Sequence, residues 1–174
     1  PQQGAIRQLL KGLREGKTVA VLLDQNTRPR DGGVFIEMFG LPVPISIAPA
    51  AMALKTGSEI FLVYSRPDGS GNYTNCSLGL VEIKDDDDPV SLTMRMTAAY
   101  ETAIREYPEM WFWPYKRWKL IPEGATKPPY PFYARALRDS DLSCRIIGWA
   151  HPSRDHRPRC SMPCIFFCLL YKSP

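Results

Sequence analysis

Few of the residues able to do chemistry in this 174-residue chain stand at spacings that chemistry can use. Gly12-Leu13-Arg14-Glu15-Gly16-Lys17-Thr18 ends like a phosphate-binding loop. It has three residues between its glycines instead of four, however, and it precedes an apolar run instead of following one. Asp85-Asp86-Asp87-Asp88 lacks the alternating ligands, central glycine and terminal glutamate of a calcium loop, and four carboxylates just before a helix suit its positive end. His156, Cys160, Cys164 and Cys168 are separated by three residues each, unlike the paired ligands of zinc modules. Neither a metal nor a cofactor is expected. Cys76 acting as a nucleophile would need a base, and no histidine precedes His151, so a strand cysteine acting as a small hydrophobe is the expectation there.

A denser cluster lies at Trp111, Phe112, Trp113, Tyr115 and Trp118, interleaved with Lys116, Arg117 and Lys119. Rings mixed with cations suit a lipid headgroup interface, with Trp111, Trp113 and Trp118 at the membrane boundary. The same residues also fit a strand whose odd positions fill a core and whose even positions face outward. The residues alone leave both readings open.

The elements that must position these groups follow an α/β order. Ile6, Leu9, Leu10 and Leu13 recur at helical spacing, and Gly16 stands where a helix would stop. Thr18 to Leu23 is a near-continuous apolar run, the pattern of a strand buried on both faces, ending at Asp24-Gln25. A polar loop through Arg28, Pro29, Arg30 and Gly33 leads to a second strand, Val34 to Phe39, closed by Gly40. The prolines of Leu41 to Pro49 predict a loop, Ala50 to Lys55 a short helix stopped by Gly57, and Glu59 to Ser65 another strand. Strand, helix, strand reads as a βαβ unit. Pro67 to Asn72 forms a turn into the strand Tyr73 to Ile83, giving a hairpin, and Pro89 opens a long helix over Val90 to Glu106 that Pro108 ends. The expected fold class is α/β, a mixed central sheet flanked by helices.

Charge divides the chain. Up to Tyr133 it carries 15 basic and 15 acidic residues, whereas from Ala134 onward it carries 7 and 3, so the whole +4 excess sits in the tail. A nucleic-acid footprint should spread over a folded face, so no nucleic-acid partner is expected. Four of the five cysteines and both histidines also lie beyond residue 134, and the unpaired Cys76 favours a reducing compartment. The longest apolar run, Ile165 to Tyr171, is far too short to span a bilayer. The opening Pro1-Gln2-Gln3-Gly4 carries neither a methionine nor a targeting pattern and reads as the interior of a longer chain.

Two segments carry more specific information. One is Leu23-Asp24-Gln25, the loop through Arg28, Arg30 and Gly33, and Val34-Phe35-Ile36-Glu37-Met38-Phe39-Gly40; the other is Tyr107-Pro108-Glu109-Met110-Trp111-Phe112-Trp113-Pro114-Tyr115-Lys116-Arg117-Trp118-Lys119. With Ala50 to Ile60 between them, they resemble the C-terminal half of the lipid A lauroyl/myristoyl acyltransferases, a branch of the lysophospholipid acyltransferase superfamily. The resemblance covers about Ala5 to Gly124. It implies a division into residues 1–124, the C-terminal part of an acyltransferase domain, and 125–174, a tail of atypical composition expected to be irregular or the product of a shifted frame.

The resemblance implies acyl transfer from acyl carrier protein to a hydroxyl of a lipid A precursor or related glycolipid, at the cytoplasmic face of the bacterial inner membrane. In this family the general base is a histidine in a His-x4-acid motif upstream of the matched segment. His151 and Asp155 are separated by three residues and follow the match, so no catalytic residue is carried over and the chain as it stands is expected to be inactive. The expected substrate-binding residues are Asp24, Arg28, Arg30, Gly40 and Arg117. Asp24 ends a buried strand, where ligands of α/β sheets collect, although an aspartate there could equally open a turn. Arg28 and Arg30 could hold phosphate or stand as solvated loop cations. Tyr115 replaces a histidine that many members carry. Two alternatives remain: transfer to another lysophospholipid or glycolipid acceptor, and a non-catalytic lipid-binding remnant at a membrane surface.

Overall fold

The computed structural model describes residues 2–127, 129–142 and 165–171. In chain order the elements are α1 (Gln2–Arg14), β1 (Val19–Leu22), β2 (Gly33–Met38), β3 (Leu41–Ser46), α2 (Ala48–Thr56), β4 (Glu59–Pro67) and β5 (Tyr73–Val81). They continue with α3 (Pro89–Glu106), β6 (Leu120–Ile121), β7 (Arg135–Ala136), α4 (Asp139–Leu142) and β8 (Ile165–Tyr171). The architecture is α/β: a four-stranded sheet ordered β1-β8-β4-β5 packs with the helices, beside a β2–β3 hairpin and a small β6–β7 pair. Pairing is antiparallel throughout the larger sheet and parallel between β6 and β7.

Strand β8 is the central surprise. It lies between β1 and β4, setting Leu170 opposite both Val19 and Ile60, and Cys168 opposite both Val21 and Leu62. Because it is antiparallel to each neighbour, β1 and β4 run in the same direction without touching. The expected βαβ unit of Val34 to Phe39, Ala50 to Lys55 and Glu59 to Ser65 does not form: β2 pairs with β3 in a separate hairpin, whereas β4 joins the larger sheet. Leu170 and Cys168 are fully buried. Burial pushes the Cys168 thiol up to about 12, so it behaves as a hydrophobe. The stretch expected to be irregular thus holds β7, α4 and β8, because Ile165–Tyr171 is apolar enough to serve as an interior strand. Among the described residues no helix is long and apolar enough to cross a membrane.

A second correction concerns Leu41 to Ser46, where the prolines predicted a loop and the structure has a strand. In an antiparallel pair one residue's N and C=O face the same side. The Pro44 carbonyl accepts from the Thr27 amide and the Pro42 carbonyl from the Tyr130 hydroxyl. Both prolines therefore turn away from β2 and remove no ladder donor, which an edge strand permits. The hairpin turns at Phe39 and Gly40, both at positive φ (53° and 77°), as a two-residue turn of this hand requires. The Phe39 amide donates to Glu101 Oε2 of α3 at 2.8 Å, which ties the turn to that helix.

Helix α2 places Ala50 and Ala53 inward, and these small side chains allow close approach to its neighbours. Helix α3 starts with a capping box: Asp88 accepts from the Val90 and Ser91 amides, while the Ser91 hydroxyl accepts from the Asp88 amide. Asp87 receives both Arg95 guanidinium nitrogens at 2.8 Å. Two of the four consecutive aspartates thus start and brace a helix.

Candidate functional site

After β1 the chain passes through the buried Leu23 to Asp24 and into a loop pinned from two sides. The Thr27 amide donates to Pro44, and the Gly33 amide to the Arg28 carbonyl at 3.0 Å. A Cβ on Gly33 would stand 1.9 Å from the Thr27 carbonyl oxygen, so only glycine lets the loop fold back this tightly. Gly33→Ala is expected to destabilise the protein by about 2 kcal/mol, in the range of overpacked sites. Denaturant unfolding checks this, and a loss near zero would mean that the loop relaxes freely.

Asn26 joins this loop to the aromatic segment. Its amide donates to the Tyr115 hydroxyl at 2.9 Å, its Nδ2 to the Lys116 carbonyl at 3.0 Å, and its Oδ1 accepts from Arg117 Nη1 at 3.2 Å. Tyr115 therefore has a hydrogen-bonding role, which ties the loop to the aromatic segment. Arg117 is 1% exposed. Burial lowers its pKa to about 10, opposed by the nearby Tyr115 and Asp24, so it stays charged at neutral pH. Arg117, Asp24, Tyr100 and Trp111 line one small cavity whose other walls are mostly apolar. Burial first, then the charge of Asp24 among others, raises the Tyr100 pKa, so its hydroxyl keeps its proton.

Residues 111–119 run through turns and do not form the expected strand. Odd and even positions consequently fail to alternate: Trp111, Arg117 and Trp118 are buried, whereas Phe112 and Trp113 are exposed. Trp118 donates from Nε1 to the Met38 carbonyl at 3.4 Å and leans on Phe39, with ring centres 6.1 Å apart. Trp111 and Trp118 are core residues, which corrects the interface reading for them. Of the three tryptophans, Trp113 alone remains exposed.

The open part of the site is a pocket of about 440 Å³ beside this segment. Its polar lining comes from Asn26, Arg28, Tyr115, Lys116, Lys119 and Arg135, so every charged side chain in the lining is a cation. Phe112, Pro114 and Leu120 complete it. Asp141, itself 1% exposed, stands behind: its carboxylate accepts from Arg135 Nη1 at 2.7 Å and Nη2 at 3.1 Å and lies 3.6 Å from Arg28 Nε.

The Arg135 hydrogen bonds, with help from the Arg138 amide and the Arg28 charge, hold the Asp141 carboxyl down to about 2, below its ordinary 3.8. A depressed carboxyl pKa adds stability above the unfolded value, and that stability disappears as pH falls through the folded value. The clamp should therefore be complete above about pH 4 and lost on approach to pH 2. Urea unfolding of the natural protein and Asp141→Asn across that window measures this; a constant difference between them would disprove it.

The expected site residues separate. Asp24 and Arg117 share the inner cavity, and Arg28 lines the outer pocket. Arg30 turns instead to the Ser140 carbonyl and Asp31. Gly40 serves the β2–β3 turn and lines neither cavity. Asn26, Lys116, Lys119, Arg135 and Asp141 were not among the expected ligand residues. Lys116 and Lys119 stood visibly among the aromatic residues, but nothing local marked Arg135 or Asp141. His151, His156, Cys144, Cys160 and Cys164, and with them the zinc spacing, lie outside the described residues.

Comparison with curated proteins returned no match. The family of bacterial lipid A biosynthesis acyltransferases matches residues 1–120, a stretch that contains the Asp24 strand end, the Arg28 loop and the whole aromatic segment through Arg117. With most of its length and these elements inside that match, the chain belongs to the bacterial lipid A biosynthesis acyltransferases.

Proposed function

We propose that the protein serves the transfer of a fatty acyl chain from acyl carrier protein to a hydroxyl of a lipid A precursor, at the cytoplasmic face of the bacterial inner membrane. Such a reaction needs a base for the acceptor hydroxyl, donors for the developing oxyanion, and cations for an acceptor that bears phosphate. The observation that carries the reading is the pocket whose charged side chains are all cations, next to the family-matched strand end and aromatic segment. Its volume falls in the range of small-ligand sites, enough for a sugar headgroup and short of a whole acylated lipid.

Among the described residues there is no histidine. They therefore supply acceptor binding, and the base belongs to the family's His-x4-acid segment. Exposed Phe112 and Trp113 stand where a lipid surface could be met while the headgroup enters the pocket. Trp113→Ala is expected to lower recovery in liposome flotation several-fold; unchanged recovery of the folded variant would remove the membrane role from this residue.

The decisive experiment places a His-x4-acid segment of the family ahead of residue 1 and supplies labelled acyl carrier protein thioester with a phosphorylated lipid A precursor. Acylated acceptor and free carrier thiol are expected, with binding but no turnover from the chain as it stands. A folded joined protein that binds the acceptor and never acylates it would overturn the enzyme reading and leave a lipid-binding remnant. Turnover only with a lysophospholipid would change the acceptor.

A further inference from the structure

The larger sheet has two faces, and the helices cover one of them. Val19 of β1, Ile60 and Leu62 of β4, and Cys168 and Leu170 of β8 belong to the hydrophobic core, to which α1, α2 and α3 contribute Leu13, Ala50 and Leu92. Successive strand residues point to opposite faces, so the residues between these turn the other way. One register row crosses all four strands on that second face: Ala20 lies opposite Leu169, Leu169 opposite Phe61, and Phe61 opposite Leu80. None of these four joins the core cluster, and neither do Leu22 and Val63 of the next row. Leu22 is 49% exposed and Leu80 57%.

An antiparallel sheet that meets water on one side alternates apolar and polar residues. These strands do not. β1 reads Val-Ala-Val-Leu, β4 contains Ile-Phe-Leu-Val, and β8 is apolar from Ile165 to Leu170, so both faces are built from residues that belong under a cover. Charge narrows the kind of cover. Among the described strand residues on the second face, Glu59 is the one charged side chain, and the Tyr171 hydroxyl already donates to it. No lysine or arginine stands among them, so an anionic bilayer or an acidic partner gains no electrostatic hold there.

A second copy of the same surface meets these terms, because two neutral apolar sheets bring no like charges together. Size agrees. A four-stranded face with strands about 4.8 Å apart and about eight residues long covers about 500 Å² in plan, so two copies remove about 1,000 Å² from water, where specific interfaces begin. We infer that this face is the interface between two copies of the chain, packed sheet to sheet about a two-fold axis with the row Ala20, Leu169, Phe61 and Leu80 of each buried against the other. The inference is independent of the acyltransferase reading, since none of these residues lines the inner cavity or the basic pocket. Both cavities stay outside the contact.

Sedimentation velocity of the full chain over a dilution series tests this. A species of twice the chain mass is expected, separating into single chains on dilution, and rising salt should not weaken it because no ion pair crosses the face. Leu22→Lys and Leu80→Lys should each raise the dissociation constant about tenfold or more, since a buried leucine is lost from both copies at once. Leu169→Thr keeps an uncharged side chain in the row and should weaken the pair less. Met94 is equally exposed but lies on α3, away from this face, so Met94→Lys should change nothing. Circular dichroism shows which variants are folded.

The proposal is overturned if the natural chain sediments as single copies at every concentration, or if folded Leu22→Lys and Leu80→Lys associate as it does. It is equally overturned if Met94→Lys or added salt separates the pair, because the contact then lies elsewhere. Association that grows beyond pairs and persists in the lysine variants would move it to the open edges of β1 and β5. Vesicles of phosphatidylcholine that bind the natural chain as single copies and fail to bind Leu80→Lys would give the face to a lipid surface instead. Failure of the acyltransferase reading looks different: the joined protein transfers nothing, and the chain as it stands still pairs.

Discussion

Arg117→Ala is expected to cost about 3–5 kcal/mol of folding stability, the range for removing one partner of a buried charge network. The guanidinium is 1% exposed and donates to Asn26 Oδ1, and its charge favours the nearby Asp24. Alanine would leave a void in the core, remove the donor that holds Asn26 Oδ1, and take away the positive charge near Asp24. Because Asn26 also bonds Tyr115 and Lys116, the loop and the aromatic segment should come apart together. Arg117→Met, which keeps most of the volume, separates the contributions: a smaller loss than in alanine would assign the difference to packing. Urea unfolding of both variants measures this, and a loss below about 1 kcal/mol in alanine would show that Arg117 is not a buried tie.

The second large effect is expected at β8. Leu170 is fully buried between Val19 and Ile60. Truncation of such a side chain to alanine costs about 2–5 kcal/mol. Aspartate there adds the desolvation of a charge with no partner built for it, which exceeds the few kcal/mol most domains have to spare. Leu170→Asp should therefore abolish cooperative unfolding, and size-exclusion chromatography should show aggregates as β1 and β4 lose the strand between them. The adjacent Leu169 is half-buried, and Leu169→Thr should be tolerated. A monodisperse Leu170→Asp protein with natural circular dichroism would mean that β8 is dispensable.

The parts legible in the sequence were those whose signals are local. Helices α1 and α3 and the β4–β5 hairpin follow from periodicity, caps and turn residues lying within each segment. Strand β3 was hidden because Pro42 and Pro44 look like breakers until their partners Tyr130 and Thr27 show which way they face. Strand β8 was visible as an apolar run but not as a sheet centre, since its neighbours lie far away in the chain and pairing leaves no mark on composition. The site divides in the same way. Asp24 and Arg28 stand at a strand end and in a basic loop, so their neighbourhood could be read in advance. Arg117 was recognised as part of the site, but its depth was not, because burial of an arginine depends on what Asn26 and Asp24 bring to it. Arg135 and Asp141 reach Arg28 across more than a hundred residues, and only folding reveals that contact.

The place of β8 also governs how this chain comes into being. A ribosome delivers β1, β4 and β5 before Ile165–Tyr171, so the nascent chain holds β1 as a lone strand and the β4–β5 hairpin, without the strand that joins them. Closing the β1–β8 contact spans nearly the whole sequence, and such distant pairings form slowly. Until then the apolar edges of β1 and β4 stay open to other chains, and a nascent-chain chaperone that shields them should raise the yield of folded protein.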